Sequence, residues 1–243
     1  MNAGRLVRKG AARILDMLYP RGVCCLLCGD PRHADGHTCL CTDCEEKLSL
    51  LRVRENACPR CMMRVNEKGV CTYCRSGAMK GLKAGYAAYF YRGSARRLIW
   101  LLKFSWQDEA AMALMNSMTE VAPRGEYDAL VPVPLHEKRL RRRGKNQAET
   151  LCGLLSPRLG LPVLQGLKRI RNTHSQVSLS AALRKQNVKG AFQAIESVEG
   201  LRLLLVDDVR TTGATARECA RELTRAGAGT VGIMTAALVE KAE

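Results

Sequence analysis

Residues 203–215 read LLLVDDVRTTGAT: an apolar run, two adjacent carboxylates, then three threonines around one glycine. Such a run suits a buried strand, and in an open parallel sheet ligands bind at the carboxyl ends of the strands. Asp207 and Asp208 then stand at that edge, while Thr211, Thr212, Gly213, Ala214 and Thr215 wrap to the next helix. Hydroxyls and backbone N–H groups at a helix N-terminus, with a glycine allowing close approach, cradle phosphate. No G-x-x-x-x-G-K-[ST] string occurs, so this is not a Walker loop. Carboxylates beside a phosphate repel it unless they face something else, and sugar hydroxyls and Mg²⁺ are the partners that fit. A ribose 5-phosphate satisfies every group.

The second chemical signal is cysteine. Ten of the twelve cysteines lie between Cys24 and Cys74, and eight of these form C-x-x-C pairs: Cys25/Cys28, Cys41/Cys44, Cys58/Cys61 and Cys71/Cys74. Two residues between thiolates let a tight turn aim both sulfurs at one tetrahedral ion. With no export signal, metal thiolates are favoured over disulfides. The simplest assignment is two structural zinc ribbons, Cys25, Cys28, Cys41 and Cys44 for the first, Cys58, Cys61, Cys71 and Cys74 for the second. An interleaved cross-brace, first pair with third and second with fourth, has equal chemistry. Four protein ligands close each site, so the metal is structural rather than catalytic. The block has little periodic apolar sequence and is expected to fold around its metal. Cys24 and Cys39 are left over, and His33 and His37 read as exposed loop histidines.

The elements that must position these groups can be sketched from periodicity. "AGYAAYFYRG" (84–93) reads as a strand and "SARRLIWLLKF" as a helix capped by Ser94. In that helix Lys103 suits the C-terminal dipole. A helix follows over 108–121; "DALVPVPLH" is a strand ending in a stiff loop, and "ETLCGLLSPRLG" is helical up to its proline. Near the end, strand, helix and strand within about forty residues make a right-handed βαβ unit. The predicted architecture of 81–243 is α/β, a doubly wound parallel sheet flanked by helices, behind a zinc-ribbon module at 21–80. Residues 1–20 read as an amphipathic helix with Leu6, Ile14, Leu15 and Leu18 on its apolar face.

The formal charge is +16 and the pI ≈ 9.6, which favours phosphate-rich partners. Lys138, Arg139, Arg141, Arg142, Arg143 and Lys145 put six cations into eight residues, read either as a solvated turn or as a patch for pyrophosphate or single-stranded DNA. Aromatics are only 5%, which argues against a base-stacking platform. No apolar stretch approaches the ~20 residues of a bilayer span, so no membrane insertion and a cytoplasmic location are expected.

Residues 203–215 resemble, without mismatch, the phosphoribosyl-diphosphate (PRPP) motif of type I phosphoribosyltransferases. "VPVPLHEKRLRRRGKNQAE" (131–149) and "RNTHSQVSLSAALRKQNVKGAF" (171–192) are similar to the other signature blocks of the ComF family, which joins a cysteine-rich zinc ribbon to a phosphoribosyltransferase-like domain. Lys145 stands where that family has phenylalanine. The resemblance implies that Asp207 and Asp208, the catalytic pair, bind the ribose hydroxyls and help hold Mg²⁺. It makes Val209, Arg210 and Thr211–Thr215 the PRPP loop, with Pro132, Val133 and Pro134 against the pyrophosphate. Arg171, Thr173, Gln176, Arg184 and Asn187 fall in a flap over the site, and Arg141, Arg142, Arg143 and Lys145 form the basic patch. The implied activity is pentosyl transfer from Mg-PRPP, linked to natural competence and single-stranded DNA or to nucleotide metabolism, with competence machinery as further partners. The alternative is a non-catalytic protein that binds PRPP or single-stranded DNA.

Overall fold

Both termini of an apolar run decide where it can sit. "LLLV" lacks any polar alternation, so both of its faces must be buried, as in the middle of a parallel sheet. The computed structural model, which describes residues 24–31, 39–54, 56–104, 108–172 and 187–240, places it there. Four strands, β1 (Gly85–Phe90), β2 (Ala129–Pro132), β5 (Arg202–Arg210) and β6 (Thr230–Leu238), form an all-parallel sheet in the order β1-β6-β5-β2. Leu205 lies opposite both Val131 and Ile233, but β2 ends opposite Val206, so Asp207 and Asp208 run past it and keep a strand neighbour in β6 alone.

Because side chains alternate along a strand, Leu204 and Val206 enter one core and Leu203 and Leu205 the other. The first core holds α3 (Gly93–Phe104), α4 (Glu109–Val121) and α6 (Gln147–Leu159); the second holds α7 (Ala214–Arg225). In α7 the buried stripe Ala216, Cys219, Ala220 and Leu223 follows the helical spacing. Fully burying a leucine such as Leu223 contributes roughly 1.5–3 kcal/mol. Cys152 and Cys219 are small buried residues, as expected. The α/β sheet with helices on both faces is therefore as the sequence predicts.

Local differences have local causes. The helix expected from Glu149 begins at Gln147, because the Asn146 side chain accepts from Ala148 N–H and caps it. It also runs past Pro157 and stops at Gly160, whose φ of 66° is left-handed. A proline in the last turn sacrifices only one hydrogen bond there. The basic stretch is a short helix, α5 (Glu137–Arg143), ended by Gly144 at φ 76°. A two-stranded antiparallel piece, β3 (Leu167–Arg169) with β4 (Phe192–Ala194), has strands too short to show a period. The cysteine block contributes α1 (Thr42–Ser49) and α2 (Thr72–Arg75). The amphipathic segment at 1–20, His33 and His37, and Thr173, Gln176 and Arg184 lie outside the described residues.

Candidate functional site

The two cysteine groups are the simplest chemistry. Within each of the sets Cys25/Cys28/Cys41/Cys44 and Cys58/Cys61/Cys71/Cys74, all sulfurs lie within 4.8 Å of one another. Pairwise Sγ···Sγ distances of 3.7 Å (Cys28–Cys41), 3.8 Å (Cys58–Cys74) and 3.5 Å (Cys61–Cys71) cross from one knuckle to the next. A tetrahedron with Zn–S of about 2.3 Å has edges of about 3.8 Å, so the donor sets fit zinc. The pairing is sequential, first with second and third with fourth. Burial raises the Cys25 thiol, but backbone N–H groups of Cys28, Cys41 and Leu27 outweigh it and bring it down to about 6, toward the thiolate a metal needs. Cys24 is exposed and Cys39 buried, and among the described residues neither belongs to a cluster.

The second site is a cavity of about 440 Å³ at the carboxyl ends of β2, β5 and β6, lined by Asp207, Asp208, Val209, Thr211, Gly213, Ala214 and Thr215. Asp208 N–H donates to Asp207 Oδ1 at 2.9 Å, and Lys103 Nζ pairs with Asp208 Oδ2 at 2.9 Å. Lys103 thus does more than answer a helix dipole: α3 delivers it into the acidic end of β5. Burial first, then the Asp208 charge, raises the Asp207 carboxyl to about 7, with Lys103 and Arg169 opposing. Gly213, at φ 70°, precedes α7 and supplies no side-chain cap, while Thr212 Oγ1 accepts from Ala214 N–H at 3.4 Å where the loop turns into the helix.

Cations line the rest of the cavity: Arg96 and Lys103 from α3, Arg139 and Arg143 from α5, Arg169 from β3. Burial lowers Arg169 to about 10, with Arg139 next to it adding repulsion. The basic stretch is therefore divided. Arg139 and Arg143 face inward, Arg141 and Arg142 are exposed, and Lys145 is ion-paired with Asp108. Asn146 and Gln147 explain why a motif surrounds these cations. Asn146 Nδ2 donates to Val133 O at 3.1 Å, fixing the loop that lines the cavity through Val133 and Pro134, while Pro132 ends β2 outside that lining. Gln147 Oε1 accepts from Arg143 Nη1 at 3.1 Å and holds that guanidinium.

Sequence reasoning singled out neither Arg169 nor Arg96, and it read Tyr91 with Tyr86, Tyr89 and Phe90 as a core aromatic of a strand face, whereas Tyr91 lines the cavity. No spacing marks them, since each comes from a different element. Arg171 donates to Lys189 O at 2.7 Å, and Asn187 is half-buried at the near edge of the described chain. Arg210 also lines the cavity, but its buried side chain turns to the second cysteine site, with Nη2 donating to Cys61 O and the guanidinium 5.7 Å over the Tyr73 ring.

A double zinc ribbon family model matches residues 14–75. The chain is 35% identical over 216 residues to the DNA utilization protein YhgH of Salmonella typhi, covering 85% of this chain and 93% of that one. It is 41% identical over 130 residues to Competence protein F of Haemophilus influenzae, covering 50% of this chain and 57% of that one. Among solved structures, the glutamine PRPP amidotransferase from B. subtilis complexed with ADP and GMP matches at 23% identity and a TM-score of 0.40, over 57% of this chain and 30% of that chain. Identity of this degree along nearly the whole of a relative makes the chain a member of the ComF family. Among the described residues no helix is long and apolar enough to cross a membrane.

Proposed function

We propose that the cavity binds PRPP and that the protein transfers its ribosyl 5-phosphate group. One observation carries this reading: a carboxylate pair, a helix N-terminus and a wall of cations converge on a single cavity. Thr211–Thr215 and the first turn of α7 take the 5′-phosphate. Asp207 and Asp208 accept from the ribose hydroxyls. The oxygen donors of this pair and of PRPP itself suit Mg²⁺, which neutralises diphosphate when bound. Arg139, Arg143 and Arg169 stabilise the charge that develops on the leaving diphosphate as the anomeric C–O bond breaks. Catalysis is positioning plus electrostatics, and no side chain need act as a strong base.

Calorimetry with PRPP and Mg²⁺ tests the binding step. Hydrogen bonds to charged groups are worth roughly 1.5–3 kcal/mol each, so Asp207→Asn with Asp208→Asn is expected to weaken binding by about two to four orders of magnitude. Equal affinity in that variant removes the carboxylates from the site. Diphosphate release with a panel of nucleobases tests transfer. Binding without release for every acceptor makes the protein a PRPP sensor instead.

A second reading, single-stranded DNA binding, is favoured by one surface feature. Trp100 and Phe104 are 54% and 51% exposed, with ring centroids 5.7 Å apart. Arg143 lies 5.3 Å over the Phe104 ring, so this pair adjoins the cavity. Bases stack on such rings whatever their sequence, while the exposed Arg141 and Arg142 meet phosphates. The expected result is binding that falls steeply with salt and is lost in Trp100→Ala/Phe104→Ala; unchanged binding excludes the pair.

A further inference from the structure

Two side chains tie the Thr211–Thr215 loop to the second cysteine site. The first is Arg210. Buried next to the loop, it donates to Cys61 O and lies 3.8 Å from Met79 Sδ. Among the described residues no carboxylate pairs with it. The ionisable groups that face it are Tyr73 and the thiols of Cys61, Cys74 and Cys71, all from the second cysteine site. A buried cation without a counter-charge is costly. Four thiolates around one Zn²⁺ carry a formal charge of about −2, which supplies that counter-charge from the metal centre as a whole.

The second feature is Tyr73, placed between Cys71 and Cys74. It is 6% exposed, and its hydroxyl has no hydrogen-bond partner among the described residues. The hydroxyl stands directly behind Gly213, where an added Cβ would meet it at 2.5 Å and Ala78 O at 2.9 Å. Arg217, in the first turn of α7, reaches from Thr212 O at 3.3 Å to Gly77 O at 3.5 Å, just beyond the same knuckle. The back of the phosphate loop is therefore made of zinc-ribbon residues.

We propose that Arg210 and Tyr73 are positioning residues that lock the Thr211–Thr215 loop to the second cysteine site, so that metal in this site, and not in the first, sets the loop's order and its affinity for the phosphate ligand. This rests on the PRPP reading for the ligand, though not for the loop. The device makes ligand binding conditional on thiolate chemistry: loss of metal leaves Arg210 without its counter-charge, and the loop that follows it in sequence must shift.

The test uses the full chain and two measurements: amide exchange at residues 211–216 without ligand, and Mg-PRPP affinity by calorimetry. In Cys74→Ser, exchange at 211–216 is expected to rise while α4 stays protected, and affinity to fall about 5- to 150-fold, the usual span of coupling between sites. Cys44→Ser, in the first site, is expected to leave both at wild-type values. Equal effects of the two variants on the loop overturn the proposal. If Cys74→Ser unfolds throughout, Arg210→Lys decides: faster exchange confined to 211–216 supports the lock, and unchanged exchange overturns it. A wild-type protein that ignores PRPP sinks the ligand reading alone, because the exchange measurement still tests the lock.

Discussion

The two cysteine sites have the same ligands and the same knuckle spacing, yet they brace different things. The first packs Leu27, Leu40 and Leu48 into the core that holds α3 and α4. The second packs Met63, Tyr73 and Met79 into the opposite core, under β5 and α7. The first therefore supports the helix that carries Lys103, and the second supports the Thr211–Thr215 loop. The chemistry of a structural metal is set by its ligands, but its consequence is set by what the ribbon leans on.

The largest effect that sharpens this contrast is metal release. Structural zinc contributes apparent free energies of about 10–16 kcal/mol in small modules, so a strong chelator is expected to unfold both ribbons. The first site should empty sooner, because Cys28 is exposed and opens on a cavity beside Asp30 and Asp43, whereas Cys61 is fully buried. A colorimetric chelator is expected to record two phases, with PRPP binding lost in the second only. A single phase breaks the contrast.

Next come two glycines, one near each site. Gly213→Ala puts a Cβ against Tyr73 and Ala78 at φ 70°, whereas Gly29→Ala at φ 80° meets nothing within 4 Å. Backbone strain of roughly 1–2 kcal/mol applies to both, so the excess loss in Tm for Gly213→Ala measures the contact with the ribbon. Equal losses mean the loop is not backed by it. On the side of the first site, Lys103→Met leaves Asp208 without its ion pair and is expected to cost about 1–3 kcal/mol in denaturant unfolding.

The smallest effect concerns pH. The folded Asp207 titrates near 7, against 3.8 for the ordinary carboxyl. The folded state thus holds a proton that the unfolded chain has released, and stability falls as pH rises from about 4 through 7. Asp207 and Asp208 titrate as a pair, which spreads the loss over both groups, and a fall in Tm between about pH 5 and pH 7 reads it. Asp207→Asn is expected to flatten that slope; a slope that persists belongs to another group. Affinity for Mg-PRPP should move the opposite way, rising with pH as the carboxylate forms.

Much of this was legible in the residues. Apolar runs with helical stretches between them predict a parallel α/β sheet, because a strand buried on both faces has no room for alternation. The acidic pair and threonine turn mark the sheet end, since carboxylates and hydroxyls have no other reason to close a buried strand. The C-x-x-C spacing predicts metal sites but leaves their pairing open, because sequential and interleaved sets have the same local chemistry. Distance settled the pairing.

What only the tertiary structure decided is which surfaces meet. Arg169, Arg139 and Lys103 reach one cavity from three elements, and no period in the chain links them. Arg210 sits between the acidic pair and the threonine turn, yet its side chain bonds to the zinc ribbon 149 residues earlier. Local sequence determines turns, strands and ligand spacing, because these depend on neighbours along the chain. Counter-charges and packing partners depend on neighbours in space.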